Sequence, residues 1–298
     1  MESALIIGGT RFIGRHLVTE LLEADYEVTL FNRGNRENPF ADRDRVDHYT
    51  GDRTSGAALK EANEAVEPDL VVDCVAYYPG EVELAVDVFE DVEAYVYISS
   101  GAVYGPDVIP KREDETPLRP CTAEQAVDDS YETYGARKAE GDRVVFEAAT
   151  EGMNAMSVRP TIVYGPHDYT DRYRYWIDRI SEFDRVLVPG DGTNIQHLVS
   201  VYNTVRAIRT VAESGEAGEA YNVGDRTVLT LDDLLEQTAD ALDADPEFVF
   251  ANDRELAAAD LVSTDFPLYN ADVHILSTEK LARLGWDPLD PAEAIERT

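Results

Sequence analysis

The stretch Gly8-Gly9-Thr10-Arg11-Phe12-Ile13-Gly14 decides the fold of this 298-residue chain. It follows a short apolar run at residues 4–7 and precedes a helical pattern over residues 13–24. Glycines between a strand and a helix let the backbone approach a phosphate, and the unpaired N–H groups of the helix start attract anions. We therefore expect Gly8 to form a tight turn, Gly14 to let helix and strand pack, and the loop to bind a dinucleotide's pyrophosphate.

Short apolar runs alternate with helical patterns after this loop. Further strands are predicted at residues 26–31, 46–49, 70–76, 95–99, 156–159 and 219–223, and helices at 56–66, 82–92 and 130–150. Runs that are apolar on both faces and separated by helices are typical of a parallel sheet covered on both sides. The predicted fold class is α/β: a Rossmann doubly wound parallel sheet with a smaller α/β substrate lobe toward the C-terminus.

Turn signals that contain proline and glycine become more closely spaced after residue 160. We expect residues 1–160 to form the dinucleotide-binding domain, completed by about residues 197–225. Residues 161–196 and 226–298 are expected to form the substrate-binding lobe.

The charge of the chain is its unusual property. It has 60 acidic residues against 26 Lys and Arg, a formal charge of −34, and its lysines number only four. Such a charge repels itself in dilute buffer but is screened at molar salt, where the Debye length is about 3 Å. Because the acids are spread along the whole chain, we favour a halophile's protein over one with an acidic binding surface.

The composition also indicates where in the cell the protein is located and which partners it does not bind. The chain has no apolar run that could span a bilayer and no basic secretory leader, so we expect a cytoplasmic protein with no membrane partner. A nucleic-acid partner is not expected, since phosphate contacts require a basic surface. No set of His, Cys, Asp or Glu has convincing metal-ligand spacing, and no metal is predicted.

The end of the second predicted strand indicates the cofactor. NAD-binding proteins usually have an acid there that accepts hydrogen bonds from the ribose 2′-hydroxyl, but this chain has Asn32-Arg33-Gly34. Arginines at 11 and 33 suit a 2′-phosphate, which favours NADP, with NAD possible; alternatively Arg33 or Arg36 simply faces solvent. Asp52 and Arg53 are expected to border the adenine. The full predicted cofactor set is Gly8, Thr10, Arg11, Phe12, Ile13, Gly14, Asn32, Arg33, Asp52, Arg53, Ala76, Pro160 and Val163.

Tyr134 and Lys138 lie one helical turn apart, on the same face of a predicted helix. A tyrosine ordinarily titrates near pH 10, so it acts as a base at neutral pH only if its phenolate is stabilised. A nearby ammonium favours the phenolate and lowers the pKa. Ser100 follows a predicted strand at the sheet edge where ligands bind, and its hydroxyl can hold a substrate oxygen beside Tyr134.

The three segments, in this order, resemble the extended short-chain dehydrogenase/reductase family, often named NAD-dependent epimerase/dehydratases. The likeness covers essentially the whole chain and includes residues 159–166 and 284–288. It implies that Ser100, Tyr134 and Lys138 form a catalytic triad, that the glycine loop binds the cofactor, and that helices near 82–92 and 130–150 form a homodimer interface. Arg11 in place of the motif's central glycine resembles an atypical branch that includes chloroplast stem-loop RNA-binding proteins.

Other departures from the family bear on the substrate. Sugar-nucleotide 4,6-dehydratases have an Asp-Glu pair where this chain has Gly101-Ala102. Sugar-nucleotide epimerases often have an asparagine where this chain has Ile162 and an arginine where it has Gln196. Both residues help to hold a nucleotide diphosphate in those enzymes. These losses, together with Tyr202-Asn203 in place of a paired aspartate, disfavour a UDP-sugar.

The leading prediction is an NAD(P)-dependent oxidoreductase that transfers hydride to or from a small, sugar-like hydroxyl or carbonyl substrate. The alternatives are an NAD(P)-dependent sugar or nucleotide-sugar epimerase, and a non-catalytic dinucleotide- or RNA-binding relative. The segment 167–176 contains aromatics and arginines that either bind the substrate or pack the lobe. His197 is expected to be a packed histidine.

Overall fold

The computed structural model describes residues 1–105, 108–270 and 272–298. Its strands, in chain order, are β1 (Ser3–Ile7), β2 (Glu27–Asn32), β3 (Val46–Thr50), β4 (Leu70–Asp73), β5 (Ala94–Ile98), β6 (Ala155–Pro160), β7 (Ile162–Tyr164), β8 (Arg185–Pro189), β9 (Ile195–Gln196), β10 (Leu198–Ser200), β11 (Ala220–Val223), β12 (Leu229–Thr230) and β13 (Glu247–Ala251). Seven of them form one parallel sheet in the order β11-β6-β5-β4-β1-β2-β3. This sheet confirms the predicted α/β fold.

Helices cover both faces of the sheet. In chain order, the helices of the whole described chain are α1 (Phe12–Glu23), α2 (Gly56–Val66), α3 (Pro79–Val88), α4 (Tyr134–Thr150), α5 (Arg174–Glu182), α6 (Val201–Ser214), α7 (Leu231–Ala241), α8 (Asp253–Ala257), α9 (Glu279–Arg283) and α10 (Pro291–Glu296). Side chains of β1 alternate between the two layers: Ile6 packs in the cluster with α1 and α6, and Leu5 in the cluster with α2 to α4. None of the described helices combines the length and apolarity that a membrane crossing needs.

Three elements differ from the prediction by more than one residue at a boundary. The strand expected over 70–76 ends at Asp73, because its carboxylate accepts hydrogen bonds from the backbone N–H groups of Val75 (3.1 Å) and Ala76 (3.0 Å). The helix expected over 82–92 is α3, which has proline in its first turn and begins earlier. The helix expected from residue 130 begins at Tyr134, so this tyrosine lies in the first turn of α4.

A second hydrophobic cluster lies beyond the sheet. It includes Trp176 of α5, Val188 of β8 and Leu235 of α7, all buried, and the pairs β8–β13 and β9–β12 flank it. Leu281 and Trp286, which the predicted lobe would include, pack in the core of the large sheet instead. The exact division into two domains therefore stays a prediction.

A buried ion pair joins α4 to the sheet. Arg159 on β6 donates from Nε to Asp142 on α4 (2.8 Å), and both side chains are at most 1% exposed. Arg159 also donates from Nη1 to the hydroxyl of Tyr104 (2.6 Å), which in turn donates to Asn222 on β11 (2.9 Å). These hydrogen bonds fix α4, which carries Tyr134 and Lys138, against β6, the segment that contains Tyr104, and β11.

Removing one partner of this pair should destabilise the protein strongly. Arg159→Met leaves the Asp142 carboxylate buried without its cation, and we expect a loss of about 3–5 kcal/mol in the free energy of unfolding. Denaturant unfolding in molar KCl measures it. The control Arg185→Met breaks an exposed pair with Glu247 (66% and 63% exposed) and should cost less than about 1 kcal/mol. Equal losses in the two variants would contradict the role of the buried pair.

Candidate active site

A cavity of about 1350 Å³ runs along the carboxyl ends of the central strands. The glycine loop, the end of β2, the segments after β4 and β5, the start of α4 and the segment after β7 all line it. Ligand pockets usually measure about 300–1,000 Å³, so this cavity has room for more than one bound molecule.

The glycine loop is shaped to receive a phosphate. Gly8 and Gly9 have φ angles of 118° and 87°, and a Cβ on Gly14 would lie 2.7 Å from the backbone nitrogen of Gly9. The helix α1 that follows has no side-chain cap and no acid in its first turn, so its N–H groups are available to an anion. Positive φ angles and a closely packed third glycine are what a pyrophosphate-binding turn requires, and these residues fit a dinucleotide.

The end of β2 forms one limit of the cavity, where Asn32, Arg33, Arg36 and Asp52 line it. Asn32 donates to the carbonyl of Gly8 (3.3 Å) and accepts from the N–H of Gly34 (2.9 Å), so its amide fixes the loop backbone. Hydrogen bonds from Thr54 and, to a smaller extent, the nearby Arg33 guanidinium lower the pKa of Asp52. Arg33 therefore lies beside Asp52 at the end expected for adenosine.

Two predicted cofactor residues are placed differently from the expectation. Arg11 lies over the ring of Tyr169, with its guanidinium carbon 3.5 Å from the ring centre, and not beside Arg33. Arg53 lines the cavity, but its guanidinium forms a buried ion pair with Asp73 and donates to the carbonyl of Glu81 (2.7 Å). A cation–π contact and a buried carboxylate hold these two groups, and nothing in the sequence shows either contact.

The remaining predicted residues lie at or behind the cavity wall. Ala76 is fully buried and contributes its carbonyl to Lys138, while its neighbours Val75 and Tyr77 line the cavity. The other predicted residues all line it: Gly8, Thr10, Phe12, Ile13, Gly14, Pro160 and Val163.

Ser100 and Tyr134 meet at the centre of the cavity. The Ser100 hydroxyl is close enough to the Tyr134 phenol to lower the pKa of the phenol, but burial has the larger effect and raises it. The hydroxyl also accepts the N–H of Ala102 (3.2 Å), which orients the serine at the end of β5. The lowered tyrosine pKa expected from the sequence is thus not produced by the protein's own groups.

Lys138 occupies the floor of the cavity. Its ammonium donates to the carbonyls of Ala76 and Ile98, both at 2.7 Å, and its side chain is buried. Burial lowers the pKa of Lys138 to about 8, against the opposing charges of Asp73 and Asp142. Backbone carbonyls of the segment after β4 and of the last residue of β5 therefore hold the ammonium in place.

The segment 167–176 is divided between the hydrophobic lobe and the cavity wall. Tyr173 and Trp176 are buried in the lobe, whereas Tyr169 and Arg172 line the cavity. The hydroxyl of Tyr169 lies 3.4 Å from that of Tyr77, so Tyr169 contacts both Arg11 of the glycine loop and the segment after β4. Arg172 is near enough to Tyr134 to lower its pKa.

Sequence reasoning missed His274. It lines the cavity and packs against Gly101, and its Nε2 is buried with no hydrogen-bond partner among the described residues. No motif surrounds it in the sequence. His197, in contrast, packs as expected: its ring bonds the carbonyl of Asp225 (2.9 Å) and the N–H of Leu276 (3.0 Å).

The parallel sheet and the glycine loop at its carboxyl edge define an α/β protein whose cavity fits a dinucleotide. The chain belongs to the NAD dependent epimerase/dehydratase family, whose model matches residues 4–224.

Individual relatives differ in what their names describe. The chain is 29% identical to the chloroplast stem-loop binding protein of 41 kDa b of Arabidopsis thaliana, over 96% of this chain and 75% of that one. Its fold is similar to dTDP-glucose 4,6-dehydratase of Bacillus anthracis in complex with NAD (TM-score 0.77, 19% identity, 100% and 95% of the chains). It is also similar to the NAD complex of UDP-glucose 4-epimerase of Thermus thermophilus (TM-score 0.75, 22% identity, 99% and 97%).

The glycine loop yields a direct test of dinucleotide binding. In Gly14→Ala the new methyl group meets backbone atoms of Gly9, so the loop must shift, and we expect affinity for NADPH to fall by about tenfold or more. Titration of cofactor fluorescence in molar KCl measures it. The control Gly80→Ala, where the nearest atom lies 3.9 Å away, should bind normally. Unchanged binding in Gly14→Ala would contradict the assignment of the loop.

Proposed function

We propose that the protein is an NADP-dependent oxidoreductase acting on a small, sugar-like hydroxyl or carbonyl compound. The observation that carries the proposal is the convergence of Ser100, Tyr134 and Lys138 in the same cavity as the glycine loop. These three groups supply what hydride chemistry on a carbonyl needs: a hydrogen-bond donor for the oxygen, a proton donor or acceptor, and a buried cation.

Each residue has a defined part in this proposal. The glycine loop and α1 would hold the phosphates of a nicotinamide dinucleotide, which would supply the hydride acceptor and donor chemistry. The Ser100 hydroxyl donates a hydrogen bond to the substrate oxygen. Tyr134 takes the hydroxyl proton during oxidation and gives it back during reduction. Lys138 lies one helical turn from Tyr134, and its buried charge favours the phenolate when it forms.

Water elimination is disfavoured. Gly101 and Ala102 follow Ser100 and carry no acid or base, although dehydratases of this family have an Asp-Glu pair there. Gly101 lies against Leu276 and His274, so a larger side chain would have to displace them.

Epimerisation is a second candidate, favoured by Tyr169. Its contacts with Arg11 and Tyr77 link the segment after β7 across the cavity to the glycine loop. An epimerase must keep its cofactor through a full cycle, and such a link slows cofactor release. Purified protein that retains dinucleotide without net turnover would favour the epimerase, and stoichiometric exchange with net reduction the oxidoreductase.

RNA binding, the remaining alternative, is disfavoured by charge, although the name of the chloroplast relative describes stem-loop binding. A formal charge of −34 opposes contact with phosphates at all but locally basic surfaces. We propose instead a cytoplasmic, salt-adapted enzyme with a small-molecule substrate. By family resemblance we further propose that it forms a homodimer through α3 and α4.

The NADP preference rests on Arg33 and Arg36, since no acid ends β2. Charge-assisted hydrogen bonds contribute about 1.5–3 kcal/mol, so Arg33→Ser should weaken NADPH binding by roughly ten- to 150-fold and leave NADH binding nearly unchanged. The control Arg43→Ser removes an exposed arginine outside the cavity lining. Tighter binding of NADH than of NADPH by the unmodified protein would overturn the preference.

Catalysis by Tyr134 is tested by Tyr134→Phe. Loss of a positioned acid–base group costs about 10²- to 10⁴-fold in rate, so kcat should fall by that factor while NADPH affinity is kept. The control Tyr131→Phe alters a neighbouring ring that is 87% exposed and should preserve kcat. The assay follows nicotinamide absorbance with sugars, uronates and small ketones, and undiminished turnover in Tyr134→Phe would exclude the mechanism.

A further inference from the structure

The charge of the cavity wall is opposite to that of the protein as a whole. Among the described residues that line it, seven are Lys or Arg and three are Asp or Glu, whereas the whole chain has 26 against 60. Seven of the 26 cationic side chains of this acidic chain therefore line the cavity, where they attract negative groups.

Most of these cations are already engaged or lie at the adenosine end. Lys138 is bonded to two carbonyls, Arg53 to Asp73, and Arg11 is stacked on Tyr169. Arg33 and Arg36 lie in the wall that the end of β2 forms. Arg119 and Arg172 remain, and both lie at the Ser100–Tyr134 end.

Arg119 is fixed beside the reacting groups. Its Nε donates to the carbonyls of Ala102 (3.0 Å) and Tyr104 (2.9 Å), and its Cδ lies against Gly135, the residue after Tyr134. Its two Nη atoms have no hydrogen-bond partner within the described part of the chain. The anchored Nε leaves the outer edge of the guanidinium as an oriented pair of donors.

Arg172 approaches Tyr134 from the other lobe. Its Nε donates to the hydroxyl of Thr170 (3.1 Å), and its charge lowers the pKa of the Tyr134 phenol. Its Nη atoms likewise have no partner among described residues. His274 completes the surroundings: burial lowers its pKa to about 4, so its ring is neutral near pH 7 and adds a hydrogen-bonding group without charge.

The far wall offers little to a nucleotide diphosphate. Gln196 is 1% exposed, and its amide donates to Asn194 (2.6 Å) and accepts from Asn270 (3.3 Å). Ile162 and Ile195 line the cavity beside it. Among the cationic side chains of the cavity, Arg119 and Arg172 therefore keep unpaired donors on the Ser100–Tyr134 side, within reach of a small substrate.

We propose that the substrate is a small anionic sugar derivative, whose carboxylate or phosphate monoester binds between Arg119 and Arg172 while its reacting carbon lies beside Tyr134. Both groups present oxygens that match the paired donors of a guanidinium. The basic cavity would also attract the negative group, whereas the acidic remainder of the chain would repel it. The inference rests on the proposed function, because it assigns Tyr134 as the reacting group.

Equilibrium binding tests the inference without requiring turnover. The probes are glucose, glucuronate, glucose 6-phosphate and UDP-glucose, each titrated calorimetrically in molar KCl into the protein with NADPH present. We expect glucuronate or glucose 6-phosphate to bind at least about tenfold more tightly than glucose, since each bond to a charged group contributes about 1.5–3 kcal/mol. The two anions distinguish a carboxylate from a phosphate site.

Variants locate the site. Arg119→Leu and Arg172→Leu should each weaken binding of the favoured anion by about tenfold or more and leave glucose binding unchanged. The control Arg174→Leu removes an exposed arginine that pairs with Asp178 on α5 and does not line the cavity.

Two outcomes overturn the inference: glucose or UDP-glucose binding at least as tightly as both small anions, or anion binding that survives both arginine variants. Failure of the proposed function gives a different result, because NADPH then fails to bind, or kcat survives Tyr134→Phe, whatever the anion preference. Circular dichroism of each variant in the same salt verifies that the chain is folded.

Discussion

The buried ammonium of Lys138 is the constraint on which the rest of the site depends. An isolated charge in a protein interior is costly, and it persists only where dipoles and opposite charges surround it. Here the carbonyls of Ala76 and Ile98 accept its hydrogen bonds, and Asp73 and Asp142 supply negative charge from two directions. The pKa of about 8 shows that these groups offset burial only in part.

Each supporting group is itself held by the fold. Asp73 ends β4 by accepting the N–H groups of Val75 and Ala76, which turns the Ala76 carbonyl toward the ammonium, and Arg53 neutralises its outer oxygen. Asp142 is paired with Arg159, which links α4 to β6. Two buried ion pairs thus flank one buried lysine, and they fix its position relative to the strands that hold Ser100. A rigid surround of this kind is what a preorganised catalytic site requires.

The protein combines a strongly acidic overall composition with a cavity whose charged residues are mostly basic. The chain as a whole carries a formal charge of −34, whereas arginines are concentrated around the cavity in which, by our proposal, a dinucleotide and an anionic substrate bind. Arg11 and Arg53 show that an arginine near a ligand site is not necessarily a ligand-binding group, since an aromatic ring and a buried carboxylate hold them. Free donor edges, as in Arg119 and Arg172, distinguish binding arginines from structural ones.

Local sequence determined the parallel sheet, the glycine loop and the pairing of Tyr134 with Lys138, because strand and helix periodicities and a helical turn are short-range properties. It could not give the end of β4 at Asp73, which depends on a side-chain bond to the following turn. Tertiary structure alone brought His274, Arg119 and Arg172 to Tyr134 from segments more than ten residues away, and turned Arg11 and Arg53 from the expected cofactor contacts. Long-range packing decides where a side chain points, and no periodicity in the sequence records it.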